Sequence, residues 1–404
     1  MFNLRKRLKI CFTTNSSPWT RFHGGGQIFV HNLAKNLSKR GHNVTVLYSG
    51  PLCRPPKKSL RCKYKVEWAY FVGYPYTGKL QQLNLITVYN KLRYLHETNR
   101  FDIINAVGSE AFFIPQLCRK YNTPFFVSIE HPNLSSLQVK FDYAHLVQSV
   151  VDLVRMRELA LIKSACLKAN GICTPSRFTK LEAVKNFHIK ANKIRVINHG
   201  IIDSMLTMND NKTQHSSSGP LVYFGRFEPQ KGVDLLIDSY SRLVKRNIID
   251  AQELILIGSG PDEKKYRAMV KALGLNNKVI FLGWKSASHI RACLNKASLC
   301  ILPSRSESFG LTVAETLAQG VPLVTTNAGS IPEVIDNGGA AWMAEKNSLE
   351  SLMNTIQRAI ENYPESLRKS KYGKKHARDS FSWEKAAKEY EDFYRSVLES
   401  QTEN

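Results

Sequence analysis

The 404-residue sequence lacks any paired-cysteine motif. Its eight cysteines form no C-x-x-C, and no His/Cys cluster stands at zinc spacing, which excludes a zinc-organised or disulfide-stapled framework. Several sit in apolar runs, as Cys300 does between Leu299 and Ile301, and there they pack as small hydrophobes. No apolar run approaches the roughly 18 residues a membrane-spanning helix needs. The basic start, residues 1–9, leads into a short strand-like run and then Asn15, Ser16 and Ser17, so no signal-peptide core is expected. No GxGxxG fingerprint, no GxxxxGK[ST] phosphate loop and no Asp-x-Asp occurs. The expectation is a reduced, cytoplasmic chain without a transmembrane segment.

Acidic residues are scarce in one half only. Residues 1–200 hold 9 Asp and Glu against 31 Lys and Arg; residues 201–404 hold 24 against 26. Nearly all of the net charge of +24 therefore belongs to the first half. A general lysine bias would colour both halves, so the asymmetry points to an anionic partner: a membrane leaflet, an acidic substrate or nucleic acid. No RNP, zinc-finger or helix-turn-helix signature accompanies the charge, so no nucleic acid is expected.

With 43% hydrophobic and 22% charged residues, the balance is that of a globular chain with room for two domains. Short apolar, β-branched runs alternate with helix-periodic stretches. Strands are expected at 8–14, 44–48, 102–107 and 125–129, with a helix over 27–40. The rhythm resumes with strands at 222–225, 253–257, 279–282, 298–302 and 323–326. Such alternation predicts an α/β protein with parallel sheets covered on both faces. Between the halves, residues 207–220 are polar, serine-rich and turn-rich, as a linker is. Residues 382–399 form an amphipathic tail carrying Trp383, Tyr390, Phe393, Tyr394 and Leu398.

Four constellations carry chemistry. Gly24, Gly25 and Gly26 stand between the first strand and the first helix, where a helix N-terminus and Cβ-free backbone suit a phosphate; a flexible turn is the plainer alternative. Arg226 and Lys231 lie just after a strand, where open α/β sheets bind ligands; they are either phosphate-gripping cations or solvated loop charges. Gly258-Ser259-Gly260-Pro261 reads by itself as a βα turn. The most specific is 307–315, with Glu307 in a polar loop and Glu315 about two turns into the following helix. Gly310 and its neighbours offer N–H groups between them, a pattern suited to a sugar joined to a phosphate. The plainer reading makes Glu307 a helix cap and Glu315 a solvated residue.

In this order these pieces resemble the retaining glycosyltransferases of family 4, the group 1 glycosyltransferases, which share the GT-B fold. The likeness rests on Phe224-Gly225-Arg226-Phe227 with Lys231-Gly232, on Ile257 to Pro261, on Phe281-Leu282-Gly283, on Pro303 to Gly310, on Glu315, and on Gly320-Val321-Pro322 and Gly329 to Glu333. Gly24 to Gly26 and Ser176 to Lys180 match in the first half. Where many relatives carry Pro-Asn-Gly, this chain reads Asn198-His199-Gly200, which touches the crossover between halves.

The resemblance implies two Rossmann-like β/α/β domains facing across a cleft, with a C-terminal helix crossing back to the first. Residues 1–206 would bind the acceptor, 207–219 link, 220–381 bind a nucleotide sugar, and 382–404 form the helix. By the same resemblance Glu307 meets donor-sugar hydroxyls, Glu315 the ribose, Arg226 and Lys231 the diphosphate, and His131 the donor sugar. Gly24, Gly25, Gly26, Gly258, Phe309, Gly310 and Leu311 complete the implied donor contacts. The implied reaction moves a hexose from a UDP- or GDP-sugar with retention, the leaving phosphate taking the acceptor's proton, with no protein nucleophile. No metal and no cofactor beyond the sugar nucleotide is expected. The basic first half suggests a lipid-linked or saccharide acceptor at an anionic membrane face, with the cluster Lys57, Lys58, Arg61, Lys63 and Lys65 as the dock. The alternative is a catalytically silent subunit that binds a partner glycosyltransferase.

Overall fold

The computed structural model describes residues 7–15, 17–19, 25–51, 61–71, 81–130, 146–206, 215–249 and 252–402. The chain divides into two compact units, Met1–Asn198 with Trp383–Asn404, and His199–Ser382.

In the first unit, β1 (Lys9–Thr14), β2 (Asn43–Pro51), β3 (Lys65–Phe71), β4 (Ile103–Ala106), β5 (Phe125–Ser128), β6 (Gly171–Thr174) and β7 (Ile194–Val196) form one sheet. Its order is β3-β2-β1-β4-β5-β6-β7, and the pairings are parallel. Alternation along each strand feeds two separate cores. Ile10 and Phe12 join Phe29 and Leu33 on one face, while Cys11 joins Leu92 and Ile104 on the other. Burial on both faces explains why these strands read as continuous apolar runs.

The helix Trp383–Thr402 belongs to the first unit, as the resemblance implied. Trp383, Ala387, Tyr390 and Tyr394 recur at helical spacing and are buried in the same core as Phe29. Asn105 Nδ2 donates to the Tyr394 hydroxyl at 2.6 Å, and Tyr390 and Ser128 share a hydrogen bond of 3.2 Å. Outside this core, Glu391 accepts from Arg40 Nε at 2.8 Å and from Arg395. Burial raises the Glu391 carboxyl, but Arg395, Arg40 and His42 outweigh it and bring it down to about 2.

In the second unit, β8 (Leu221–Phe224), β9 (Leu254–Ile257), β10 (Val279–Gly283), β11 (Leu299–Leu302), β12 (Leu323–Thr326) and β13 (Trp342–Ala344) form a parallel sheet of order β10-β9-β8-β11-β12-β13. The helix Val233–Lys245 buries Val233, Leu236, Ile237, Tyr240 and Leu243, an i, i+3, i+4 stripe. Strand order reverses between β1 and β4 in the first unit and between β8 and β11 in the second. Ligands of open α/β sheets bind at the carboxyl ends of the strands at such a switch point.

Strands β3, β6, β7 and β13 were not expected from the sequence. β3, β7 and β13 are edge strands, and β6 is four residues long and opens on a glycine. A Cβ at Gly171 would stand 2.7 Å from Phe126 and 2.8 Å from Phe393, so the glycine serves close packing. Residues 207–214 of the expected linker lie outside the described residues. Before them, Ile201 and Met205 are already buried in the second unit's core, and Ile201 N–H donates to Phe381 at 2.9 Å. The second unit thus starts at His199.

Candidate functional site

The switch point of the second unit gathers the loops after β8 and β11. The first runs from Gly225 to Gly232, the second from Pro303 to Gly310. Lys231 ends a short turn, Pro229–Lys231, and its Nζ lies 2.6 Å from Glu307 Oε1. Ser304 Oγ donates to the same oxygen at 2.8 Å. The Lys231 and Glu307 side chains are 20% and 10% exposed, so a cation and a carboxylate sit side by side in a partly dry setting where their fields are felt more strongly than in bulk water. Arg226 is exposed at the end of β8 and its guanidinium pairs with Glu228 Oε1 at 2.5 Å.

Glycines let these loops touch. Gly258 has φ +149, and a Cβ there would stand 1.8 Å from the Gly225 carbonyl oxygen. Gly329 has φ +59, and a Cβ there would stand 2.0 Å from the Glu307 carbonyl oxygen, which also accepts from Ser330 N–H at 3.1 Å. Backbone pressed on backbone leaves no room for a side chain at either place. The Gly258 turn is therefore a packing element against the β8 loop, whatever else it does.

The helix Leu311–Gln319 begins at Gly310, which has φ +85 and offers no side-chain cap. Its first N–H groups and its partial positive charge face the loop that carries Glu307. Glu315 sits little more than one turn in, because the helix starts only at Leu311. Its side chain is half-buried. Burial pushes its carboxyl up to about 7.

Phe309, expected among the donor contacts, turns its ring into the core. It packs on His199 at 5.3 Å and on Phe381 at 5.4 Å, which leaves its backbone for any ligand. The Asn198-His199-Gly200 departure thus reaches the Glu307 to Glu315 segment through that ring contact. Gly25 and Gly26 open the helix Gly25–Lys39. Gly24 and His131 lie outside the described residues, as do Lys57 and Lys58 of the basic cluster.

One device was missed from the sequence. Arg305 forms a two-pronged pair with Asp234, at 2.8 and 2.9 Å, and its N–H donates to the Gln230 carbonyl at 2.7 Å. Burial raises the Asp234 carboxyl, but Arg305 outweighs it and leaves it below its ordinary value. The pair fastens the Lys231 turn to the Glu307 loop. The only signal was an arginine two residues before Glu307 and an aspartate in a helix's first turn.

Chemically, the arrangement offers a cation and free helix amides to an anion, and two carboxylates to hydroxyls on either side of it.

The family model described as glycosyl transferases group 1 matches residues 209–376, and that described as glycosyltransferase family 4 matches residues 23–204. An uncharacterised glycosyltransferase of Methanocaldococcus jannaschii is 23% identical, over 97% of this chain and 99% of its own length. The N-acetyl-alpha-D-glucosaminyl L-malate synthase of Bacillus anthracis is 28% identical over 52% of this chain; the match spans 56% of that protein. Among solved structures, the sucrose-phosphate synthase of Thermosynechococcus elongatus superposes with a TM-score of 0.82 at 20% identity, covering 98% of this chain and all of that one. The Anabaena protein HepE, solved with UDP and glucose, gives 0.73 at 18% identity over 96% of this chain and all of its own. These structural likenesses carry the GT-B fold.

Proposed function

The chain belongs to the group 1 and family 4 glycosyltransferases, with the GT-B fold, and we propose that it transfers a hexose from a nucleotide-diphosphate sugar with retention and without a metal. The observation that carries this reading is the Lys231–Glu307 pair, at 2.6 Å, set beside the uncapped start of the helix that bears Glu315.

The charge bookkeeping runs in one direction. Departure of the diphosphate places negative charge on the bridging oxygen, and Lys231, Arg226 and the amides at Gly310 and Leu311 stabilise it where it develops. These groups supply the positive charge for which other transferases recruit a divalent ion. Glu307 accepts from hydroxyls of the donor sugar and Glu315 from the ribose. The acceptor attacks from the face the phosphate leaves, and the leaving oxygen takes its proton, so no protein nucleophile is needed. Gly258 contributes backbone.

The test is a thermal-shift panel of UDP- and GDP-sugars on the wild type and on Glu315→Ala. A ligand that binds only the folded state raises its stability by mass action. One nucleotide family should stabilise the wild type and not the variant, which names the base. No shift with any donor in a folded protein would overturn the reading. The pH dependence has a defined sign. Without donor, the Glu315 carboxyl ionises near pH 4.5 when unfolded and near 7 when folded, so stability falls as pH rises between them. Ribose hydroxyls favour the carboxylate, so donor binding should release a proton and tighten as pH rises through about 7. Calorimetry in buffers of different ionisation enthalpy measures that proton.

For the acceptor, we propose a lipid-linked or saccharide molecule at an anionic membrane surface, with the basic first unit docking there. Arg61, Lys63 and Lys65 are exposed, and Lys57 and Lys58 adjoin them in sequence. A juxtamembrane cation contributes about 1 kcal/mol to binding an anionic leaflet. Changing all five to glutamine should weaken binding to phosphatidylserine-containing vesicles by about two orders of magnitude or more. Unchanged sedimentation with vesicles would eliminate this patch as the dock.

A further inference from the structure

The switch point of the first unit holds a polar cluster that the donor chemistry does not use. It is built from the carboxyl ends of three strands and the start of a helix: Thr13 and Asn15 at β1, Ser49 on β2, Ser109 and Glu110 after β4, and Asn84 on the helix Gln81–Asn99. Asn15 is its hub. Its Oδ1 accepts from Ser49 Oγ at 2.9 Å and from Asn84 Nδ2 at 2.8 Å, and its Nδ2 donates to Ser109 Oγ at 3.2 Å.

Glu110 is fully buried. Its Oε1 accepts from Gly108 N–H at 2.9 Å, from Val107 N–H at 3.2 Å and from Thr13 Oγ1 at 3.3 Å. Its Oε2 has no hydrogen-bond partner among the described residues, and neither has Asn84 Oδ1. A buried acceptor left without a donor is costly, and two such atoms in one cluster call for a common explanation. Both are acceptors. Glu110 Oε2 and Asn15 Nδ2 lie 2.5 and 3.4 Å from where Gly108 would carry a Cβ, so an acceptor and an amide donor flank the bare face of that glycine. Asn15, Val107 and Gly108 around it are partly exposed, which gives the approach. Burial raises the Glu110 carboxyl to about 7, against the pull of its backbone and Thr13 hydrogen bonds, as expected of a carboxylate still short of donors.

We propose that Glu110, Asn15 and Asn84 form a hydroxyl-binding subsite for a polyhydroxylated acceptor at the carboxyl ends of β1 and β4. A sugar or cyclitol hydroxyl both donates and accepts, which is what an adjoining carboxyl oxygen and amide N–H require. The subsite occupies in the first unit the topological place that the Lys231–Glu307 pair occupies in the second. It rests on the reading that the first unit receives the acceptor.

The test is ligand-observed NMR of the full chain with glucose, mannose, N-acetylglucosamine and myo-inositol, on wild type, Glu110→Gln and Gly108→Ala. Glutamine keeps the shape of Glu110 but turns the unspent oxygen into a donor. The Gly108 backbone is extended, with φ −147, so alanine adds no backbone strain, but its methyl would stand 2.5 Å from Glu110 Oε2 and must push that carboxyl away from Asn15. At least one probe should bind the wild type and lose affinity about tenfold or more in both variants, the size expected for one hydrogen bond to a charged group. No binding by any probe, or equal binding by all three proteins, would mean that the cluster holds only ordered water, and would overturn the proposal. The donor-induced thermal shift, measured on the same samples, reports the second unit. If it persists while probe binding is absent, the subsite fails and the transferase reading stands. If it is absent while a probe binds, the reverse holds.

Discussion

Lys231→Ala is expected to lower kcat/KM for sugar transfer by about a thousandfold, the upper end for removal of one group that stabilises a developing oxyanion. The loss should fall mainly on kcat. The leaving oxygen gains its charge in the transition state, so a cation placed there contributes more at that point than to the bound donor. A second effect accompanies it. Lys231 neutralises Glu307, whose side chain is 10% exposed, and the change leaves Ser304 as a neutral donor to that oxygen. Leaving a partly buried carboxylate without its cation costs about 1–3 kcal/mol of stability. Steady-state kinetics at saturating donor separate the two effects. A fall in kcat with donor affinity nearly kept supports the leaving-group role. A pure rise in KM would make Lys231 a binding residue only. Lys231→Arg should recover little, because a planar fork does not fit the point contact a compact ammonium makes with Glu307 and Ser304.

Gly329→Ala should cost about a hundredfold in kcat/KM without touching any proposed ligand contact. Its φ of +59 lies in the left-handed region, which alone costs a non-glycine residue about 1–2 kcal/mol. The Cβ would also stand 2.0 Å from the Glu307 carbonyl oxygen, a contact that must open by more than an ångström. The atom it meets is backbone, so no side chain can rotate out of the way. The loop bearing Glu307 is instead displaced, and a shift of about 1 Å at a positioned group is enough for a loss of about 10². The variant should stay folded, because β11 and β12 keep their ladder away from the contact. Circular dichroism and the donor-induced thermal shift check both halves of this expectation. Wild-type turnover in Gly329→Ala would show that the Glu307 loop need not be held where it is.

The two variants differ in what could be read in advance. Lys231 stands out in the sequence as a cation after a strand. Gly329 stands out only as part of a pattern, and its reason, a carbonyl oxygen 2.0 Å from where its Cβ would be, exists only once the loops are folded together. Phe309 shows the opposite case. Its place within the Glu307 to Glu315 segment suggests a ligand contact, yet its ring is buried against His199 and Phe381. Linear spacing says which residues are close to a site; it does not say which way each side chain turns.

Local patterns by themselves determined the fold class, because a strand buried on both faces must be apolar throughout and a covering helix must carry a stripe at helical spacing. They also marked Lys231 and Glu307, which the structure brings together at the second unit's switch point. Tertiary structure alone decided the edge strands β3, β7 and β13, each of which pairs on one side only. It decided that Arg305 and Asp234 fasten two loops across 71 residues of sequence. It decided that Asn15, Asn84 and Glu110 meet at the first unit's switch point. The physical reason is common to all three. Composition and period act over a few residues, whereas hydrogen bonds and close backbone contacts between distant segments arise only from the order in which the strands assemble.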